Sequence, residues 1–118
     1  MQRWNLLHPE LAPRKSHIQN CLDAHAGPII AATDYMKLFA DQVRGFLPDR
    51  HFITLGTDGF GRSDTRRKLR QFFEVDRYYV AVAALKALAD QQLIPAATVT
   101  AAIQKYGINP EKPNPVTV

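Results

Sequence analysis

Apolar and polar positions change their period several times along this 118-residue chain. Pro28-Ile29-Ile30-Ala31-Ala32 is an apolar run too short for an independent helix, and it predicts a buried strand. Thr33 and Asp34 follow as candidate N-caps. From Tyr35 to Leu47 the period becomes helical, with Met36, Phe39, Ala40, Val43 and Leu47 on one stripe. Lys37, Asp41, Gln42 and Arg44 occupy the other side, and Pro48 is expected to stop the helix. His51 to Leu55, with β-branched Ile53 and Thr54, predicts a second strand. Strand, helix, strand in this order is a βαβ unit, so the two strands should run parallel.

After the glycine-rich stretch "GTDGFGRSD" (56–64), Ser63 or Asp64 is expected to cap a helix presenting Leu69, Phe72 and Phe73. Glu74-Val75-Asp76 interrupts it, and Asp76 should cap an alanine-rich helix from about Arg77 to Gln92. In the last helix Pro95 suits the first position, and Val99, Ala102, Ile103 and Tyr106 form an apolar stripe. Gly107 is a natural left-handed cap, with Ile108 placed for the accompanying apolar contact.

Residues 1–27 show no clean period beyond a short helix near Ile18 to Ala24. Residues 28–109 hold the α/β pattern, and 110–118, with Pro110, Pro113 and Pro115, predict an extended tail. Two strands are few for four helices with apolar faces, because parallel sheets are normally larger and covered on both faces. Further strands are therefore expected outside the chain, on its N-terminal side.

Composition narrows the class. The chain is 46% hydrophobic and 22% charged, ordinary for a globular domain, and its length bounds it to one. No apolar run is long enough to span a bilayer, and the first residues lack the pattern of a signal peptide. The single cysteine, Cys21, excludes an internal disulfide and fits a reducing cytoplasm. It has no neighbouring lysine or arginine to activate it, so an incidental thiol is expected.

The net charge of +4 is concentrated between Arg62 and Arg70, where five basic residues face one acid, Asp64. A solvated helix face accounts for this stretch. Read as a footprint, it would suit an anion-binding regulatory domain or, with a helix-turn-helix, a nucleic-acid-binding module. Few aromatics interleave with the charges, and no nucleic-acid partner is expected.

The spacing G-x-x-G-x-G in "GTDGFG" is neither the dinucleotide fingerprint nor a phosphate-binding P-loop. Amides at Gly59, Phe60, Gly61, Arg62 and Ser63 could still bind an anion or form an interface. A turn requiring positive φ and close backbone approach explains the glycines equally well. Phe60 would then be an anchor buried against another domain or subunit, with Asp58 and Asp64 satisfying loop amides. His8, His17, His25 and His51 are scattered without metal-ligand spacing. Asp34 and Asp58 follow the two predicted strands at the carboxyl ends, where α/β ligands gather, but capping and loop bonding explain both. No catalytic, cofactor-binding or metal-ligating residue is assigned.

"WNLLHP" (4–9), "AATDYMKLFADQVR" (31–44), "LGTDGFGRSD" (55–64), "LRQFFEVD" (69–76) and "YYVAVAALKALA" (78–89) occur in order. Together they resemble the carboxy-terminal end of the homodimeric bacterial pyruvate dehydrogenases. These are the thiamine-dependent, decarboxylating components of pyruvate dehydrogenase complexes. "RRK" at 66–68 is more basic than that family leads one to expect, and "RQFF" at 70–73 lacks a histidine often found there.

The resemblance implies a transketolase-type C-terminal domain, a three-layer α/β sandwich with a mostly parallel sheet, here truncated at the N-terminal side. It implies a parent enzyme that uses thiamine diphosphate and magnesium and acetylates the lipoyl groups of a dihydrolipoyl acetyltransferase component. The cofactor motif of that family, a GDG followed at a distance by an asparagine pair, does not occur in this chain. The chain itself is expected to be inactive and structural, packing against the remaining domains and the second subunit.

Overall fold

A computed structural model describes residues 1–118. Two parallel strands, β1 (Ile29–Ala32) and β2 (Phe52–Leu55), pair in register from Ile29 with Phe52 to Ala32 with Leu55. Six α-helices surround them: α1 (Gln2–Leu7), α2 (His17–Leu22), α3 (Lys37–Asp41), α4 (Arg66–Phe72), α5 (Arg77–Asp90) and α6 (Ala96–Lys105). Short 3-10 turns lie at Arg44–Phe46 and Pro115–Thr117. Helices α3 and α5 both pack on the two strands, and α6 packs on α5. The buried core is thin, formed by Leu47, Phe52, Phe73, Val75, Ala87 and Val99.

Local signals set most helix ends. Asp76 caps α5, its carboxylate accepting from the amides of Tyr78 and Tyr79 at 3.0 Å each. Ser16 and Gln19 form a reciprocal capping box at the start of α2. Helix α6 ends as its residues predict: Gly107 has φ +65°, its amide donates to Gln104 O, and Ile108 donates to Ile103 O. Pro95 stands one residue earlier than expected, as the N-cap of α6.

Three expectations are corrected. The helix predicted over 35–47 is shorter: it stops at Asp41, and the chain tightens into the 3-10 turn before Pro48. Asp41 there bonds Thr54 Oγ1 and Arg44 at 2.8 Å, while Arg44 donates to Phe52 O at 2.6 Å. These bonds draw the chain sideways onto β2, and Met36 and Phe39 of the predicted stripe stay exposed. Secondly, α3 takes no side-chain cap from Thr33 or Asp34, and α4 is capped by Thr65 instead of Ser63 or Asp64. Asp64 bonds the Thr65 amide, which carries the loop one residue further before the helix starts. Thirdly, the proline-rich tail turns back on the body rather than running out. Lys112 Nζ donates to Phe72 O at 2.6 Å and to Glu74 at 3.2 Å, and Pro115 is buried.

The N-terminal residues hold to themselves. Arg14 lies over the Trp4 ring at 3.9 Å, and Asn5 and Arg14 exchange two hydrogen bonds. Arg50 joins this region to the sheet, donating to Gly27 O through Nε and Nη2 and to Leu22 O through Nη1.

The molecule is open for its mass. Its accessible surface is 8640 Å², against roughly 6500 Å² for a folded monomer of this size. Its radius of gyration is 17.4 Å, against roughly 13.5 Å for a compact domain of this length.

Two helices end on left-handed residues that are not glycine, Glu74 (φ 64°) and Gln92 (φ 60°). Each makes the same pair of amide bonds that Gly107 makes after α6. A side chain in this conformation costs about 1 kcal/mol relative to glycine. Gln92 is exposed and bonds through its backbone alone. Gln92→Gly is therefore expected to raise unfolding free energy by about 1 kcal/mol, read from the midpoint of urea unfolding with an unchanged slope.

Candidate functional site

The loops at the carboxyl ends of β1 and β2 are locked together. Gly56 ends β2 against the backbone of the first loop: a Cβ there would lie 2.7 Å from Lys37 N and 2.9 Å from Tyr35 O. Thr57 donates through its amide to Tyr35 O and through Oγ1 to Asp34 O, each at 2.8 Å. Asp58 Oδ1 accepts from the Lys37 amide at 3.0 Å, doing for α3 what Thr33 and Asp34 were expected to do. Gly59, at φ +101°, lies where a Cβ would be 2.9 Å from Pro115 O. The glycines of "GTDGFG" thus serve close backbone approach at 56 and both positive φ and close approach at 59.

Released from capping, Asp34 makes a fork-to-fork pair with Arg70 of α4, at 3.1 Å to Nε and 2.7 Å to Nη2. That hydrogen-bonded guanidinium, with the added charge of Arg66, holds the Asp34 carboxyl below its ordinary value of 3.8. Arg70 is correspondingly raised by Asp34. The pair stands between two open clefts. One, of about 750 Å³, is lined by Asp34, Arg66, Arg67, Arg70, Arg77 and Tyr78 among others. The second, of about 500 Å³, is lined by Asp34, Gly59, Gly61, Arg62, Arg66 and Arg70 among others.

Of the loop residues singled out in the sequence, Gly59, Gly61 and Arg62 line the second cleft. Phe60 points outward with 81% of its surface exposed, and Ser63 is exposed and makes no side-chain hydrogen bond. Arg62 lies over the Phe72 ring at 4.5 Å. Lys68 stands apart from both clefts, on the side of α4 facing Tyr79 and Tyr106. The basic stretch is an exposed helix face at Arg66, Arg67 and Lys68, with Arg70 alone turned onto Asp34. The place of Arg77 on the first cleft and the pairing of Asp34 with Arg70 are not foreseen from the sequence. The one signal for the latter was the place of Asp34 at a strand's carboxyl end.

Elsewhere the chemistry is sparse. No three His, Cys, Asp or Glu side chains cluster to hold a metal. Cys21 is exposed, with its sulfur 3.4 Å from His17 Nε2, one helical turn away. No helix is long and apolar enough to cross a membrane.

Parallel strands joined through a helical crossover, with helices on the sheet and the loops converging at its carboxyl end, define an α/β sandwich-type domain. The family described as the transketolase-like TK C-terminal domain matches residues 1–76, and the chain belongs to it. Its sequence is 58% identical to the pyruvate dehydrogenase E1 component of Cupriavidus necator over 100% of this chain. It is 56% identical to that of Pseudomonas aeruginosa over 98% of the chain and 50% identical to that of Escherichia coli over 97%. In each case the match covers 13% of the relative's length.

Two outcomes follow from this geometry. Gly56→Ala forces a Cβ into backbone on the other loop and is expected to cost about 2 kcal/mol or more, measured by chemical unfolding. For Asp34, the depressed carboxyl adds stability above its ordinary value, and that stability is lost as pH falls through the lowered value. Carboxyl-carbon NMR titration should place its midpoint below 3.8 and return it to the ordinary range in Arg70→Gln.

Proposed function

We propose that this chain works as the C-terminal portion of a pyruvate dehydrogenase E1-type subunit, the component that decarboxylates pyruvate and acetylates lipoyl groups. Its part is structural: it completes the subunit and packs against the remaining domains and the second subunit of a homodimer. The observation that carries this reading is the unfinished core. Only eight of 118 residues are buried, and a parallel sheet of two strands is too small to stand covered on both faces. Tyr35, Met36, Leu38, Phe39 and Phe60 are all exposed around the sheet's carboxyl end. Such a surface is stable when other protein covers it, and single scattered apolar side chains would not carry the same weight.

In this reading thiamine diphosphate and magnesium are held by other parts of the enzyme. Lipoyl transfer to the dihydrolipoyl acetyltransferase component also belongs to the whole assembly, in the cytoplasm. The chain supplies no catalytic residue. What it supplies is a rigid end to the subunit, fixed by the two interlocked loops.

A segment exchange tests the reading. In the Cupriavidus necator enzyme, replacing the matched segment by this chain should leave a dimer that reduces lipoyl groups from pyruvate within a few-fold of the parent rate. Deleting the segment should abolish soluble dimer and activity together. A deletion variant as active as the intact enzyme, or pyruvate turnover by the 118-residue chain alone, overturns the proposal.

A further inference from the structure

Arg62 packs over the Phe72 ring and Arg77 over Tyr78, to whose hydroxyl it donates at 2.8 Å, but no such contact accounts for Arg66 and Arg67. Arg62, Arg66, Arg67 and Arg77 have no carboxylate within ion-pair distance, although all four line the two adjoining clefts. The three carboxylates that share those clefts are all engaged: Asp34 with Arg70, Asp64 with the Thr65 amide, and Asp76 with the amides at the start of α5. Arginines outnumber carboxylates in both clefts, which leaves an excess of positive charge in concave space at the carboxyl ends of two parallel strands. In open α/β sheets this is where ligands bind.

From this arrangement we propose that the clefts form a binding site for the phosphate group of a small molecule, held by Arg66 and Arg67 and reached by Arg62 and Arg77. Guanidinium forks match the tetrahedral oxygens of phosphate in pairs, and the charge-assisted bonds they make are strong. The space fits a small molecule: the larger cleft, at about 750 Å³, falls within the range of small-ligand sites.

Asp34 is the gate of this site. It occupies Arg70 and places negative charge beside Arg66, so it competes with the incoming anion for the same guanidinium groups. A general basic surface has no such internal competitor. The site adjoins the apolar surface that the proposed subunit packing would cover, and its test is read on the chain alone.

Calorimetric titration of the full 118-residue chain with inorganic phosphate, at ionic strength held constant with chloride, tests it. Saturable one-site binding is expected, weakened at least tenfold in Arg66→Gln and in Arg67→Gln and unchanged in Lys68→Gln. Asp34→Asn should tighten binding several-fold, because it frees Arg70. A parallel titration with glycerol 3-phosphate separates the sources. Tighter binding than phosphate points to a phosphorylated metabolite and equal binding to free phosphate, and either supports the site. Heat no greater than that of chloride, or equal weakening by Lys68→Gln and Arg66→Gln, overturns it.

Discussion

The structure turns on a contact with no side chain in it. Gly56 brings the end of β2 so close to Tyr35 and Lys37 that a single methyl group would collide with backbone. Thr57 and Asp58 then use that proximity, satisfying the backbone of the first loop from the second. Two four-residue strands make few ladder bonds, and a parallel pair is the weaker kind. The interlocked loops extend the pairing beyond the ladder and fix where the chain departs. Because Thr57 holds the carbonyl of Asp34, the Asp34 side chain is left facing α4, where Arg70 meets it.

That local rigidity contrasts with the poverty of the interior. An accessible surface of 8640 Å² on 13.3 kDa leaves too little burial to balance the chain entropy of folding with much margin. Part of the order comes from hydrogen bonds that tie distant segments by their carbonyls. Arg50 reaches Gly27 and Leu22, Arg44 reaches Phe52 O, and Lys112 reaches Phe72 O. Each long cation stitches a loop to its neighbour without filling a core. Such stitches hold the surface in shape where the core does not, in line with the subunit packing proposed above.

What the sequence disclosed is what short range controls. Asp76 and the Gly107-Ile108 ending need only their own helices, so their residue types were enough to place them. The two strands were legible because β-branched apolar runs had clear boundaries. The truncated α3 was not, since its stripe is helical throughout and what stops it is Asp41 bonding to Thr54, 13 residues on. The Asp34–Arg70 pair spans 36 positions, and nothing in the intervening residues announces it. Thr33 and Asp34 were good caps by type, and the loop from β2 supplied Asp58 in their place. The tail misled for the same reason: its prolines forbid regular structure but do not say that Gly59 leaves room for Pro115.

The division of labour within "GTDGFGRSD" follows from these contacts. Its first half, Gly56 to Gly59, is spent on backbone geometry: Thr57 and Asp58 bond the first loop, and Gly59 meets Pro115. Its second half, from Phe60 on, makes few contacts of its own: Phe60 and Ser63 face solvent, and Arg62 reaches across to Phe72 and the cleft. One peptide thus anchors at one end and presents side chains at the other. A glycine-rich turn between a strand and a helix suggests a cradle whose amides hold an anion. Here the Thr57 amide is tied to Tyr35 O, and the positive charge beside the turn is carried by arginines that the turn does not itself contain, apart from Arg62.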